Sequence, residues 1–389
     1  MKRCSLFVLL LCASLVLTAC TATDPDNLFE MPEGGTTPSD AECTQTEPDE
    51  TESAASDTEE VILYTGTYPY GNMQKNVPPG NFVLLGNEVM FSSFAYYNPL
   101  LYCYDLVSEE VRLYCGDATC KHEYGDENNP CAAAEFNSNL EVYNGELYGL
   151  VSAPEKGPGT HYPAVARKNG IEYVLSSGIG GFFHHGDNLY LKTSDSALMV
   201  LEEGQREPRM LMEEWNGRWE VIFGDCLYAN TNDRTVIRVD LTAEELKAEV
   251  ILSNAAGMTD GQHIYYVDDN TSKLYRCDMD GSNPQLLVDQ DVLFASMNFD
   301  DEYFYYRLFT DYQLDEGPDT YDIYRFSKSD PAKIEKLATL PVPAYQVFTV
   351  PGTGKLFVNT RVRTNGDDND IYVMNTDGSN VAKLEIPEY

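Results

Sequence analysis

Leu274 to Asn283 reads LYRCDMDGSN, and Ile371 to Asn380 reads IYVMNTDGSN, the two lying 97 residues apart. Each is an apolar residue and a tyrosine, two further residues, then Asp or Asn, one more residue, and Asp-Gly-Ser-Asn. A weaker copy, IYRFSKSDPAK from Ile323, falls 49 residues after the first and 48 before the second, so the interval spans two repeats. The same apolar pair, polar turn and apolar pair recurs upstream in VIRVDLTAEE from Val236, LMVLEEGQREPRML from Leu198, AVARKNGIEYVL from Ala164 and LYCYDLVSEEVRLY from Leu101. That makes seven copies.

Each copy is preceded by a turn dipeptide and a short apolar strand: GNEVMF at Gly86, NGELYG at Asn144, GDNLYL at Gly186, GDCLYA at Gly224, DGQHIYY at Asp260, DDEYFYY at Asp300 and TGKLFV at Thr353. Asp-Gly and Asn-Gly suit tight hairpins because glycine accepts the positive φ they demand. Every unit therefore reads as four short antiparallel strands. Such units, repeated at roughly 35 to 60 residues, predict an all-β chain folded as a seven-bladed β-propeller. The strand-like VILYTGT at Val61 either completes the last blade or begins an eighth.

The two quoted stretches resemble the TolB-type, WD-like propeller repeat, and LYRCDMDGSN is also similar to the YWTD propellers of lipoprotein receptors and their bacterial relatives. The likeness is close in the last three repeats and degenerate in the first four. Trp-Asp is absent throughout.

MKRCSLFVLLLCASLVLTAC has a basic start, an apolar run and a small-residue approach to Cys20, the pattern of an export signal. Leu17-Thr18-Ala19-Cys20 resembles the lipobox of bacterial lipoproteins, which implies cleavage after residue 19, a lipidated Cys20 and a protein anchored to the membrane facing the cell exterior. Residues 21–60 hold thirteen Asp or Glu and no Lys or Arg, too little apolar surface to offset chain entropy. Residues 20–60 are expected to form a disordered, extended tether, and 61–389 the propeller.

Formal net charge is −37, and loss of Lys2 and Arg3 with the signal takes it to −39. A surface so acidic repels phosphate backbones, which excludes nucleic acid as a partner. Cations, basic proteins and neutral glycans remain.

Cys115, Cys120, His122 and Cys131 fall within CGDATCKHEYGDENNPC, with spacing C-x4-C-x-H-x8-C. Four soft ligands this close suit a structural zinc ion, while a disulfide with an odd thiol, or a metal-free loop, fits the same residues. No cofactor other than that zinc is implied. The Asp-Gly-Ser-Asn turns lack the remaining ligands of an EF-hand and read as hairpins. Neither G-x-S-x-G nor H-E-x-x-H occurs, so no catalytic residue stands out.

In a propeller the loop between second and third strands and the loop joining successive blades emerge on one face. Here that face holds the long insertions from Pro154, Thr310 and Arg363, the cysteine cluster, and Trp215 and Trp219 in MEEWNGRW. The expectation is a surface-anchored binding protein using Trp215, Trp219, Tyr312, Asp315, Glu316, Asp367 and Asp368 to hold a protein, cation or glycan. An extracellular glycosidase or lyase acting on polysaccharide through a carboxylate pair on that face is the alternative.

Overall fold

The computed structural model describes residues 82–387, apart from 93–99, 116–119, 123–130, 153–160, 168–169, 176–178, 194, 309–320, 342–343, 351 and 361–369. The segments read above as export signal and tether, with Cys20, and residues 61–67 lie outside them. The described residues build a β-propeller. Among the described residues, seven four-stranded antiparallel units follow one another, at 83–113, 136–173, 179–212, 217–253, 255–291, 298–340 and 344–383. The second and third share a sheet through one pairing, His161 opposite Ile179.

The fifth blade shows why these residues form these strands. Its inner strand, Ala255–Thr259, is buried throughout, as small residues at the crowded centre require. The second strand, His263–Asp268, pairs with it from Ala255↔Asp268 to Thr259↔Ile264 and supplies Tyr265 and Tyr266 to the core. Next comes Lys273–Asp278, from the quoted repeat, and then the outer strand Gln285–Asp291, which is mostly exposed. All seven copies of the motif fall on or beside third strands, and all seven turn dipeptides lead into second strands.

Apolar clusters join each blade to the next. Met90, Leu101 and Cys103 of the first blade pack with Phe136, Leu147 and Ala164 of the second. Tyr305 and Ile323 of the sixth pack with Val347, Leu356 and Met374 of the seventh. The ring also closes from seventh to first, where Phe357 stacks on Phe82 at 4.9 Å and meets Tyr104 edge-on at 5.6 Å.

The duplicated Asp-Gly-Ser-Asn is a hairpin with a glycine-bulge turn. Gly281 donates to the Asp278 carbonyl and Asp278 to the Ser282 carbonyl, both at 2.9 Å, and Gly378, Asn375 and Ser379 repeat the pattern at the same distance. Glycine is required twice over. Gly281 and Gly378 both have φ +83°, and a Cβ would strike the carbonyl oxygens of Ile251 and Leu337, on the outer strands of the preceding blades. The turn is thus where one blade leans on another. Asp280 and Asp377 accept from the hydroxyls and amides of Ser282 and Ser379, which lowers their carboxyls below the usual range. These carboxylates serve their own turns.

Candidate metal centre and loop-bearing face

The chain leaves the outer strand of the first blade, Val111–Leu113, and reaches the inner strand of the second, Phe136–Tyr143, through the cysteine-rich connection. Cys115 follows the outer strand closely, and Cys131 precedes a single helical turn, Ala132–Glu135. Cys131 and the alanines behind it pack into the core shared by the first and seventh blades, with Cys115 and Cys120 against its edge.

That packing draws Cys115, Cys120, His122 and Cys131 together, with one ligand atom from each all within 4.8 Å of one another. The Cys131 and Cys115 sulfurs lie 3.7 Å apart, and His122 Nδ1 is 3.5 Å from Cys131 Sγ. The His122 amide donates to Cys120 Sγ at 3.4 Å, which uses the left-handed backbone (φ 53°) of that residue. Burial, then contact with the Cys120 thiol, pushes the Cys131 thiol up to about 12, against backbone donation from Ala134 and Ala133. No disulfide joins any of the six described cysteines, and 3.7 Å is well beyond the ~2.05 Å of an S–S bond. The four residues grouped by spacing are brought to one point.

A second polar site lies between the second and third blades. Glu141 and His184 sit on inner strands 43 residues apart, each side chain less than a tenth exposed, with His184 Nδ1 3.0 Å from Glu141 Oε2. The His184 amide donates to both carboxylate oxygens at 3.2 Å, and Tyr143 stacks on the imidazole at 4.0 Å. His184 and Tyr148 face a shallow cleft of about 310 Å³ whose rim includes Glu146, Glu172 and Asp187. Sequence reasoning missed this pair. Its one signal is a Glu at a buried position of an apolar strand, NLEVY, with no neighbour in sequence to hold it.

Trp215 requires a correction. It is 2% exposed, packed among Phe183, Leu198, Leu227 and Ile237 between the third and fourth blades, and donates through Nε1 to Glu220 at 3.1 Å. Lys192 Nζ approaches the same carboxylate at 3.4 Å. No ring face of Trp215 is open to stack on a sugar. Trp219 belongs to the inner strand Gly217–Phe223 and not to a connecting loop. Tyr312, Asp315, Glu316, Asp367 and Asp368 lie outside the described residues, as does the Pro154 insertion.

The strand ends show where the long connections fall. Second and third strands are joined through 93–100 in the first blade, 153–160 in the second, 307–320 in the sixth and 361–370 in the seventh. In the third, fourth and fifth blades they are joined by 194–197, 232–234 and 269–272. Around the closed ring the sixth, seventh, first and second blades are consecutive, so the long connections share one arc, together with the cysteine-rich connection.

No protein-family profile matches the chain, and no curated protein does. Among solved structures, the chain is similar to a TolB-like protein from Agrobacterium tumefaciens, with 15% identity, TM-score 0.38, and coverage of 55% of this chain and 84% of that one. A nidogen/laminin complex is similar at 15% identity, TM-score 0.38, and coverage of 59% and 90%. An oligogalacturonate lyase from Vibrio parahaemolyticus is similar at 12% identity, TM-score 0.44, and coverage of 77% and 85%. At these identities the likeness concerns fold alone. The propeller stands on the strand order and closure of this chain itself.

Proposed function

We propose that the chain is an exported, lipid-anchored binding protein that holds its partner on the arc formed by the sixth, seventh, first and second blades. The observation that carries this reading is the clustering of the long connections between second and third strands on four consecutive blades, opposite a face whose connections, 202–208 and 241–247 being the longest, are all shorter. Variable loops on a rigid scaffold are where recognition resides, and the scaffold here spends its length on one side. The connections in the sixth and seventh blades hold Asp311, Asp315, Glu316, Asp319, Asp367 and Asp368, with Asp370 at the foot of the next strand. A cation or basic protein is the partner their charge favours, with an association rate that falls as salt rises.

The test is a peptide, cation and glycan binding screen on the full chain, repeated with Asp315→Asn, Glu316→Gln, Asp367→Asn and Asp368→Asn combined. The expected result is at least about a tenfold loss of affinity, equivalent to ~1.4 kcal/mol, with the melting transition unmoved. Unchanged affinity in the quadruple variant would overturn the charge reading, and a chain that selects nothing from the screen would overturn the binding reading. The anchor is tested separately. Cys20→Ala should move the protein from the detergent phase to the aqueous phase, because nothing else in the tether holds a bilayer.

A further inference from the structure

We infer that Cys115, Cys120, His122 and Cys131 form a closed tetrahedral zinc site that fastens the connection between the first and second blades. The inference rests on the separation of the ligand atoms as well as on their identity. A zinc ion bound at ~2.3 Å by sulfur sets a tetrahedral S···S edge of about 3.8 Å, and with Zn–N near 2.05 Å the N···S edge is about 3.6 Å. Two of the six edges match, Cys115 and Cys131 lying 3.7 Å apart and His122 Nδ1 3.5 Å from Cys131 Sγ, and all the ligand atoms fall within 4.8 Å of one another, close enough for a bound ion to draw them in. A disulfide would require one sulfur pair to close far inside 3.7 Å.

The backbone is arranged for the same end. His122 holds a left-handed conformation that non-glycine residues seldom adopt, and it turns the amide onto Cys120 Sγ while the ring reaches Cys131. The Ala134 amide donates to the Cys131 carbonyl at 3.0 Å, which starts the helical turn and fixes the backbone that carries this thiol. Four protein ligands leave no open position for water or substrate, so the ion is structural. The helical turn after Cys131 touches both the third strand of the first blade and the inner strand of the second, and the fastened connection belongs to the loop-bearing arc.

The full chain, made in zinc-supplemented medium and purified with reductant and without chelator, should carry about one zinc per chain by elemental analysis. Cobalt exchanged into it should give the intense absorption of tetrahedral thiolate coordination, a measurement on the wild type that needs no variant to fold. Cys120→Ser and His122→Asn, the second chosen because Asn tolerates the left-handed backbone, should each lower the metal content severalfold. Cys226→Ser, remote from the cluster, should leave it unchanged. Alkylation should label Cys115, Cys120 and Cys131 only after chelation. The inference is overturned by substoichiometric metal with a Cys115–Cys131 disulfide in non-reducing peptide maps, by free thiols that alkylate equally with and without chelator, or by full metal content in the Cys120→Ser, His122→Asn double variant.

Discussion

Trp215→Ala tests whether that indole serves recognition or cohesion. The ring lies in the core between the third and fourth blades, and Gly217 sits so close beneath it that a Cβ there would run into the six-membered ring. Truncation removes a buried aromatic and opens a cavity that neighbouring strands cannot collapse into, at a cost of about 3–5 kcal/mol. It also removes the Nε1 donor to Glu220. Trp215→Phe separates these contributions, because it keeps most of the packing and loses the hydrogen bond to a carboxylate, worth about 1.5–3 kcal/mol. Urea or guanidinium unfolding followed by far-ultraviolet circular dichroism measures both. The expected order of midpoints is wild type, then Phe, then Ala, with the Ala variant melting on the order of 10 °C lower. An Ala variant with an unmoved midpoint would refute the assignment, most decisively if it also lost affinity for a ligand that wild type binds.

Gly281→Ala and Gly378→Ala should each cost about 1–3 kcal/mol, whereas Gly86→Ala, with positive φ and nothing within 4 Å, should lose only the backbone share of ~1 kcal/mol; thermal denaturation of the three variants checks the order. Asn230→Ala should destabilise the fourth and fifth blades by about 2–5 kcal/mol, because the side chain both donates to and accepts from Gly257 at 2.7 Å and truncation leaves two buried backbone groups unpaired; hydrogen exchange at Gly257 checks it. Burial depresses His161 below its ordinary value of 6.5, so the unfolded chain protonates first as pH falls. Stability from this residue is therefore complete above pH ~6.5 and declines below it until the folded-state value is passed, and denaturation midpoints between pH 7 and 5 should slope less in His161→Gln than in wild type.

The fold was legible because its decisive residues are local and repeated. Asp-Gly turns announce hairpins within a few positions, and the apolar-tyrosine pairs that follow them are core, as with Tyr190, Tyr228 and Tyr265. The grouping of three cysteines with His122 was legible for a similar reason, since all four residues fall within one connection. Trp215 was not. Exposed Glu213, Glu214 and Asn216 surround it and make the segment look like surface, and what buries the ring is a void above Gly217 together with side chains from two blades. Glu141 and His184 meet only because successive inner strands run side by side around the ring, a relation that no window of sequence contains.

Basic residues are scarce, 26 against 63 acidic, and several of those described stand at boundaries between blades. Lys192 reaches Glu220 from third to fourth, Arg234 reaches Asp269 from fourth to fifth, and Lys328 reaches Asp260 from sixth to fifth. Arg325 donates to the Thr376 carbonyl at 2.6 Å from sixth to seventh, and Lys355 pairs with Glu109 across the closure of the ring. Between second and third the contact is His184 with Glu141. The exposed pair Arg234–Asp269 contributes at most about 1 kcal/mol, and the more buried Lys328–Asp260 and Lys192–Glu220 lose much of their attraction to desolvation, so such pairs do not hold the ring against its acidic self-repulsion; the apolar clusters do. Their effect is on register. A blade that slides or rotates against its neighbour separates an ion pair whose partners have few other cations nearby, and in a chain so acidic the misplaced alternative is repulsive. Between the first and second blades the cysteine cluster occupies the equivalent place, but a zinc ion held there by three thiolates and a neutral imidazole would leave a net charge of about −1, so it would fix that boundary by coordination and not by added positive charge.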